Sequence, residues 1–300
     1  MVLPEQDGMR LRDVLRRVMG VSYTAMKSAK WNGGITVDGV VTPVDAFVRA
    51  GQVVAIRFRE NAPAYAVKPY ALPLTIAHED DWLFVIDKPA PLASQSSALH
   101  PDDTLENALY AHLRCPTDFV YRPVNRLDKG TSGLMIVAKD AHIQHRLQAL
   151  LHTPEFIRTY QAVVEGCPAD DSGVIDAPIG KEDAASIRRI VTASGKPSVT
   201  HYRVLKRGKT RTLVELTLET GRTHQIRVHM ASIGCPLLGD GKYGTNELNR
   251  PYGETGQALY AYSLTFRFAQ DAGALQYLNG KTFKVKDIPF VKKYFPNFKP

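Results

Sequence analysis

Cysteine is scarce. Cys115, Cys167 and Cys235 are the three in 300 residues, too few and too scattered for a disulfide framework or a Cys-x-x-Cys metal site. A reducing cytoplasm is the expected compartment. Long apolar runs are lacking too, since none approaches the ~20 residues of a membrane-spanning helix. The start, Met1-Val-Leu-Pro-Glu-Gln-Asp-Gly8, has the pattern of neither a signal peptide nor a basic transit segment. No internal repeat or low-complexity tract is visible. Three motif look-alikes fail on detail. His142 and His145 lack the His-Glu-x-x-His pattern of a zinc hydrolase. Gly239-Asp-Gly-Lys242 lacks the spacing and the hydroxyl residue of a P-loop. Gly130-Thr-Ser-Gly133 is not a Gly-x-Ser-x-Gly elbow. What is present is an ordinary globular composition, 44% hydrophobic and 23% charged, long enough for one large domain plus a small one.

The net charge is +8 and unevenly spread. Arg10, Arg12, Arg16, Arg17, Lys27, Lys30, Arg49, Arg57 and Arg59 stand against Asp13, Asp38 and Asp45, so this one stretch carries +6 of the excess. Such a block is an electrostatic footprint for a polyanion. It is equally compatible with a well-solvated surface, and charge alone does not decide.

Residues 1–60 read as a unit. Leu11, Val14, Leu15 and Val18 recur at helical spacing, with Arg12, Arg16 and Arg17 on the other faces. Ser22 is placed to cap a second helix through Lys30, and Lys27 and Lys30 lie on it. Gly33-Gly34 breaks that helix. Ile35–Val37, a turn at Asp38-Gly39, and Val40-Val41 predict a hairpin, and Val53–Phe58 a last strand. Residues 61–75, rich in proline and without periodicity, read as a linker. Residues 76–300 mix strands and helices. Predicted strands are Trp82–Ile86, Leu134–Ala138, Phe156–Val164, Ser198–Lys206, Arg211–Glu219 and Tyr260–Phe268. Asp87-Lys88-Pro89 reads as a turn. Predicted helices are the one capped by Thr104, the one capped by Asp140, and Arg222–Ile233 with Ile226, Met230 and Ile233 inward. Strands often follow strands directly. The expected fold class is therefore α+β: a large mixed, mainly antiparallel sheet with flanking helices, preceded by a small α+β unit. The tail after Ala269 has no clear place beyond packing on this body.

Two blocks stand out chemically. Arg122-Pro-Val-Asn-Arg-Leu-Asp-Lys-Gly-Thr-Ser-Gly-Leu134 presents Asp128 in a Gly-bracketed polar turn, and Gly221-Arg-Thr-His-Gln-Ile-Arg-Val-His229 opens a helix. An Asp beside Gly is, taken alone, most often a turn cap. If the segment is strand-like, Arg126 and Asp128 point to the same side. Arg222, Thr223, His224 and Gln225 at a helix start are suited to anions. Further blocks are Asp87-Lys-Pro89, Arg158-Thr-Tyr-Gln-Ala-Val-Val-Glu-Gly166, Gly234–Gly244 and Ala258–Phe266. Together, in order, these resemble the signature blocks of the RluA-type pseudouridine synthases, over roughly residues 74–268. The N-terminal unit resembles the RNA-binding module shared with ribosomal small-subunit protein four (an S4-like domain).

The resemblance implies an RNA uridine isomerase. The uracil–ribose bond breaks, the base turns, carbon-5 joins the ribose, and the carbon-5 proton leaves. No redox or phosphoryl step occurs, so neither cofactor nor metal is expected. It implies Asp128 as nucleophile, toward sugar or ring, Arg227 as its charge partner, and Tyr160 as a stacking ring whose hydroxyl relays the proton. Asn125, Arg126, Ile226, Arg222, His224 and Gln225 are the implied substrate contacts in the cleft. Arg12, Arg16, Arg17, Lys27 and Lys30 are the implied phosphate contacts. Four positions depart from the pattern: Tyr23 where the small module often has arginine, Asn125 and Tyr260 where histidine is usual, and Arg158 for lysine. RNA is the expected partner, ribosomal rather than transfer, and a monomer the expected state. A transfer-RNA enzyme, a catalytically silent RNA-assembly factor, and a hydrolase using His224 and Asp128 are the competing readings.

Overall fold

Two adjacent strands show why the apolar runs in this chain are continuous rather than alternating. In Leu83–Lys88 (β5), Phe84 and Ile86 enter one core and Leu83 and Val85 enter another. In Ser132–Ala138 (β6), Met135 and Val137 enter the first core, while Leu134, Ile136 and Ala138 enter the second. A sheet covered on both faces needs apolar residues at every position. The computed structural model describes residues 1–21, 23–58, 66–183, 186–244 and 256–298.

The N-terminal unit contains α1 (Leu11–Asp13), which continues as a π-turn over Val14–Val18, and α2 (Tyr23–Trp31). Three short strands follow, β1 (Ile35–Val37), β2 (Val40–Val41) and β3 (Val54–Ile56), in the order β2-β1-β3, all antiparallel. Leu11, Val14 and Leu15 are buried as the periodicity predicts, but Val18 is exposed because the chain widens into the π-turn before it. The Ser22 cap lies outside the described residues. Met19 and Phe58 bring this unit against the body. Arg146 donates to the Met19 carbonyl at 3.2 Å, and the Phe58 ring lies on the His142 ring at 5.6 Å.

The body is built on one sheet. Its strands are β4 (Thr75–Glu79), β5, β6, β7 (Phe156–Glu165), β8 (Ser172–Asp176), β11 (Val199–Arg207), β12 (Arg211–Leu218), β13 (Leu259–Phe266) and β14 (Thr282–Lys284). The order is β4-β5-β6-β13-β7-β12-β11-β8, with β14 on β13. Among the described residues β6–β13 is its one parallel pair, so the mixed, mainly antiparallel α+β body is as expected. β9 (Ile179–Lys181) and β10 (Arg189–Val191) form a separate ribbon. On the first face lie α3 (Leu105–His112) and α5 (Gln225–Ser232), through Leu105, Leu109, Ile226 and Met230. On the second lie α4 (Ala141–Leu150) and the turn Gly273–Leu278, through Ile143, Leu147, Leu275 and Leu278. The tail ends in α6 (Pro289–Tyr294).

Four sequence expectations need correction. Thr75–Glu79 pairs with β5 as a strand that was not expected, its first residue at the end of the expected linker, because its alternating half-buried pattern is short. Asp87 and Lys88 are the end of β5, paired with Leu134 and Gly133, and the turn begins at Pro89. The helix expected from Arg222 starts at Gln225, since His224 takes a left-handed backbone (φ +58°) as its cap. Ile233, expected inward, is exposed just past the helix end.

Candidate active site

The loop that carries Asp128 is fixed from three sides. Ser94 brackets Leu127, its hydroxyl donating to the Leu127 carbonyl at 2.6 Å and accepting from the Leu127 amide at 3.1 Å. Tyr121 donates to the Ser94 carbonyl at 2.7 Å and so holds the bracket. From below, the buried Lys88 ammonium donates to the Leu92 carbonyl at 2.8 Å and the Pro89 carbonyl at 3.0 Å, and reaches the Lys129 carbonyl at 3.5 Å. Burial lowers the Lys88 pKa to about 7 against the opposing pull of Asp128 and Asp87. From the sheet, Asn125 accepts from the Ile136 amide at 2.9 Å and donates to the Leu134 carbonyl. The loop then enters β6 at Gly133, whose φ is +119°. A Cβ there would collide with the Ala261 backbone, so only glycine lets β6 reach β13 and bring the loop to the centre of the sheet.

Asp128 meets α5 across the cleft. Arg227 Nη1 donates to Asp128 Oδ2 at 3.0 Å. The other edge of the same guanidinium holds Asp240 in a two-point bond, Nε to Oδ2 at 2.7 Å and Nη2 to Oδ1 at 2.9 Å. Asp240 is fully buried and also accepts from the Lys242 and Tyr243 amides. Burial would push its pKa up, but the bonds and charge of Arg227 bring it down. Burial works against the Arg227 charge as well, and the bonds and charge of Asp240, then of Asp128, raise its pKa in spite of this. The forked geometry is what Arg supplies and Lys does not. The Tyr243 ring lies 5.0 Å from the guanidinium.

His224 completes this corner. Its Nδ1 is 2.7 Å from the Tyr243 hydroxyl and its Nε2 is 3.9 Å from Asp128 Oδ2. Tyr243 accepts from the Arg189 amide at 3.0 Å. If it donates to Nδ1, the ring proton sits on Nε2, facing Asp128. Burial first, then the charges of Arg227 and Lys242, drop the His224 pKa to about 4, so the ring is neutral near pH 7.

Tyr160 of β7 and Ile226 of α5 are both buried and both line the cleft, a cavity of about 690 Å³. That volume falls in the range of small-ligand sites. Burial raises the Tyr160 pKa against the opposing charge of Arg158, so its phenol stays protonated. Among the described residues that line the cavity, Asp128 is the one carboxylate, facing Arg126, Arg158, Arg222 and Arg227. Among the described residues no three His, Cys, Asp or Glu side chains converge as a metal-ligand set.

The structure thus gathers Asp128, Tyr160, Arg227, Ile226, His224, Arg126 and Arg222 around one cavity. Asn125 and Gln225 line the same cavity and also make structural bonds. Asn125 spends its amide on β6. Gln225 accepts from Thr220 Oγ1 and the Arg222 amide and donates to Val199 and Thr200, which ties the loop before α5 to β11. Arg12, Arg16, Arg17, Lys27 and Lys30 are exposed on the N-terminal unit and do not line the cleft. Arg12 pairs with Asp45 at 2.8 Å and Arg17 approaches Asp13 at 3.7 Å. Tyr260, where histidine is usual, donates to both Asp87 oxygens at 2.7 and 2.8 Å, behind the loop. Sequence reasoning missed Asp240, Tyr243, Lys88 and Ser94. The signal for Asp240 was a charged residue inside an otherwise turn-forming Gly-Asp-Gly, which reads as surface until Arg227 is placed beside it.

Comparison with known proteins agrees with this geometry. A family model described as RNA pseudouridylate synthase matches residues 82–232. Ribosomal large subunit pseudouridine synthase D of Pseudomonas aeruginosa is 39% identical over 246 residues, covering 80% of this chain and 75% of that protein. The RNA pseudouridine synthase YlyB of Bacillus subtilis is 40% identical over 252 residues, covering 82% and 81%. Among solved structures, human RNA pseudouridylate synthase domain-containing protein 1 shares the fold, with a TM-score of 0.60 at 22% identity over 76% of this chain and 89% of that one. The chain belongs to the RNA pseudouridylate synthase family and is a pseudouridine synthase of the RluA type.

Proposed function

We propose that this enzyme isomerises one or more uridines of large-subunit ribosomal RNA, with Asp128 as the nucleophile. The observation that carries the reading is the Asp128–Arg227 contact at 3.0 Å in a cavity whose other charged lining residues, among the described ones, are arginines. The target uridine leaves its stack to enter the cleft, as a base must before an enzyme can reach it. Asp128 bonds to the anomeric carbon or the ring, and the N1–C1′ bond breaks. The uracil turns and C5 bonds to C1′, displacing the carboxylate if it is held on C1′; the C5 proton then leaves, expelling the carboxylate if it is held on the ring. Atoms balance without a cofactor. Arg227 stabilises the carboxylate before attack and as it departs. While Asp128 is in the covalent, neutral state, Asp240 keeps the buried guanidinium paired, so no isolated buried cation forms. Tyr160 supplies a platform, worth about 1–3 kcal/mol per stacked base. Its neutral phenol can pass a proton on only by donating as it accepts. Ile226 closes the cavity, and Arg126, Arg222 and His224 present donors to the nucleotide.

The N-terminal unit, read as S4-like, grips the RNA through Arg16, Lys27 and Lys30, with Arg12 and Arg17 released from their surface acids by phosphate. We infer a monomer acting in the cytoplasm. The names of the relatives support the ribosomal substrate, and among the described residues no helix is long and apolar enough to cross a membrane. Tritium release from carbon-5-labelled large-subunit and transfer RNA transcripts tests the reading. Release is expected from the former, release from the latter alone would reassign the substrate, and release from neither would mark a silent RNA-binding protein.

A further inference from the structure

Arg158 of β7 is 7% exposed. Its Nη2 donates to the Leu151 carbonyl at 2.8 Å and lies 3.4 Å from His152 Nδ1. Its charge bears on the Tyr160 phenol two residues along the strand, and among the described residues its Nε is buried with no partner. A guanidinium carries five donors and no means of shedding its charge. One carbonyl and one imidazole do not balance it. Among the described residues no carboxylate pairs with Arg158, Arg126 or Arg222, whereas Arg227 in the same cleft has two. A buried cation left without an anion is costly, and this one lines the cavity.

The surroundings are packed to hold it there. Gly221 lies against this cluster so closely that an added Cβ would meet His152 Cε1 at 2.8 Å and Arg158 Nη1 at 3.8 Å. Arg222 is fixed beside it by a bond from Nε to the Pro197 carbonyl at 3.1 Å. His152 is held toward its neutral form by burial first, then by the charges of Arg158 and Arg222. The wall is therefore a prearranged anion pocket whose counter-charge is not part of the protein.

We propose that Arg158, with His152 and Arg222, forms a subsite for the phosphodiester that adjoins the uridine seated over Asp128. The proposal rests on the reading of the cleft as a uridine pocket and specifies what that pocket measures besides the base. Because Arg158 and Tyr160 stand two residues apart on β7 and both line the cavity, seating the phosphate places the nucleotide beside the stacking ring. The site then selects a nucleotide within a strand over a free nucleoside.

The test titrates the full-length protein with uridine, uridine 3′-monophosphate, uridine 5′-monophosphate and inorganic phosphate. One monophosphate is expected to bind at least about tenfold more tightly than uridine, the scale of a charge-assisted hydrogen bond. Which one does so identifies the side of the linkage. In Arg158→Gln the gain should fall below about twofold. Arg158→Lys should keep part of it, since the charge survives and the fork does not. Arg222→Gln, an exposed change that guards against misfolding of the first variant, should lose about threefold of the gain. Equal binding of uridine and both monophosphates to the wild type, or an undiminished gain in Arg158→Gln, overturns the subsite. Tritium release from RNA by the wild type is scored separately. Release without any phosphate gain removes the subsite and leaves isomerisation standing. A gain that depends on Arg158 without release does the reverse.

Discussion

Arginine does two different jobs in this molecule. In the N-terminal unit Arg12 and Arg17 are largely exposed, and their acids are exposed or half-buried. Such pairs contribute about 0–1 kcal/mol and are screened within about 8 Å at physiological salt. They open readily for another anion, and their value is attraction at a distance. In the cleft Arg227 is buried, forked onto Asp240 and in contact with Asp128. It cannot wander, and its value is a fixed field at one carboxylate. On the function proposed above, the same side chain serves capture where it is solvated and chemistry where it is held. A net charge registers only the first.

The widest separation between the two regions should come from Asp128→Asn. Turnover is expected to fall by roughly 10⁴-fold or more, the scale of removing a nucleophile, while RNA affinity changes by less than about threefold. Tritium release and filter binding measure the two. Next is Asp240→Asn, which leaves Arg227 with one carboxylate. Turnover should drop about 10- to 100-fold and unfolding become easier by about 3–5 kcal/mol, the usual consequence of breaking a buried pair. Denaturant titration would show it, and an unchanged rate would detach Asp240 from the chemistry. The N-terminal combination of Arg16→Glu, Lys27→Glu and Lys30→Glu should weaken RNA binding about tenfold. It should also flatten the salt dependence by up to about 0.9 for each phosphate no longer neutralised. The rate at saturating RNA should hold. A fall in that rate would erase the division between capture and chemistry.

How much of this was legible in the sequence follows the same division. The exposed cations and the chemical blocks could be read directly. Asp128, Arg227 and Tyr160 came from the family resemblance, and α3 and α4 came from caps at Thr104 and Asp140 that do accept backbone amides. What escaped depends on contacts distant along the chain. Asp240 gains meaning only beside Arg227, and Lys88 only beneath Lys129 and Leu92. Asn125 was expected from the resemblance to meet the substrate or support the loop, and its bond to the β6 backbone, which shows the second, joins residues far enough apart to need the fold. Short strands such as β4 and β14 carry too few residues to show a period.

A smaller effect concerns pH. The folded His224 pKa, about 4, lies below the unfolded value of 6.5. Between those values the unfolded chain binds a proton that the folded chain does not, so stability falls as pH drops through that window. His224→Gln should lose roughly 1–3 kcal/mol less than wild type between pH 6.5 and 4. Parallel melting curves at the two pH values would check this, and identical losses would mean that His224 is not held neutral.

The most direct measurement is covalent trapping on RNA carrying 5-fluorouridine at the target, where fluorine cannot leave carbon-5 as a proton. The adduct, mapped by mass spectrometry of peptides, should sit on Asp128 and be absent from Asp128→Asn. An adduct on another residue, or equal trapping by that variant, would contradict the assignment of the nucleophile.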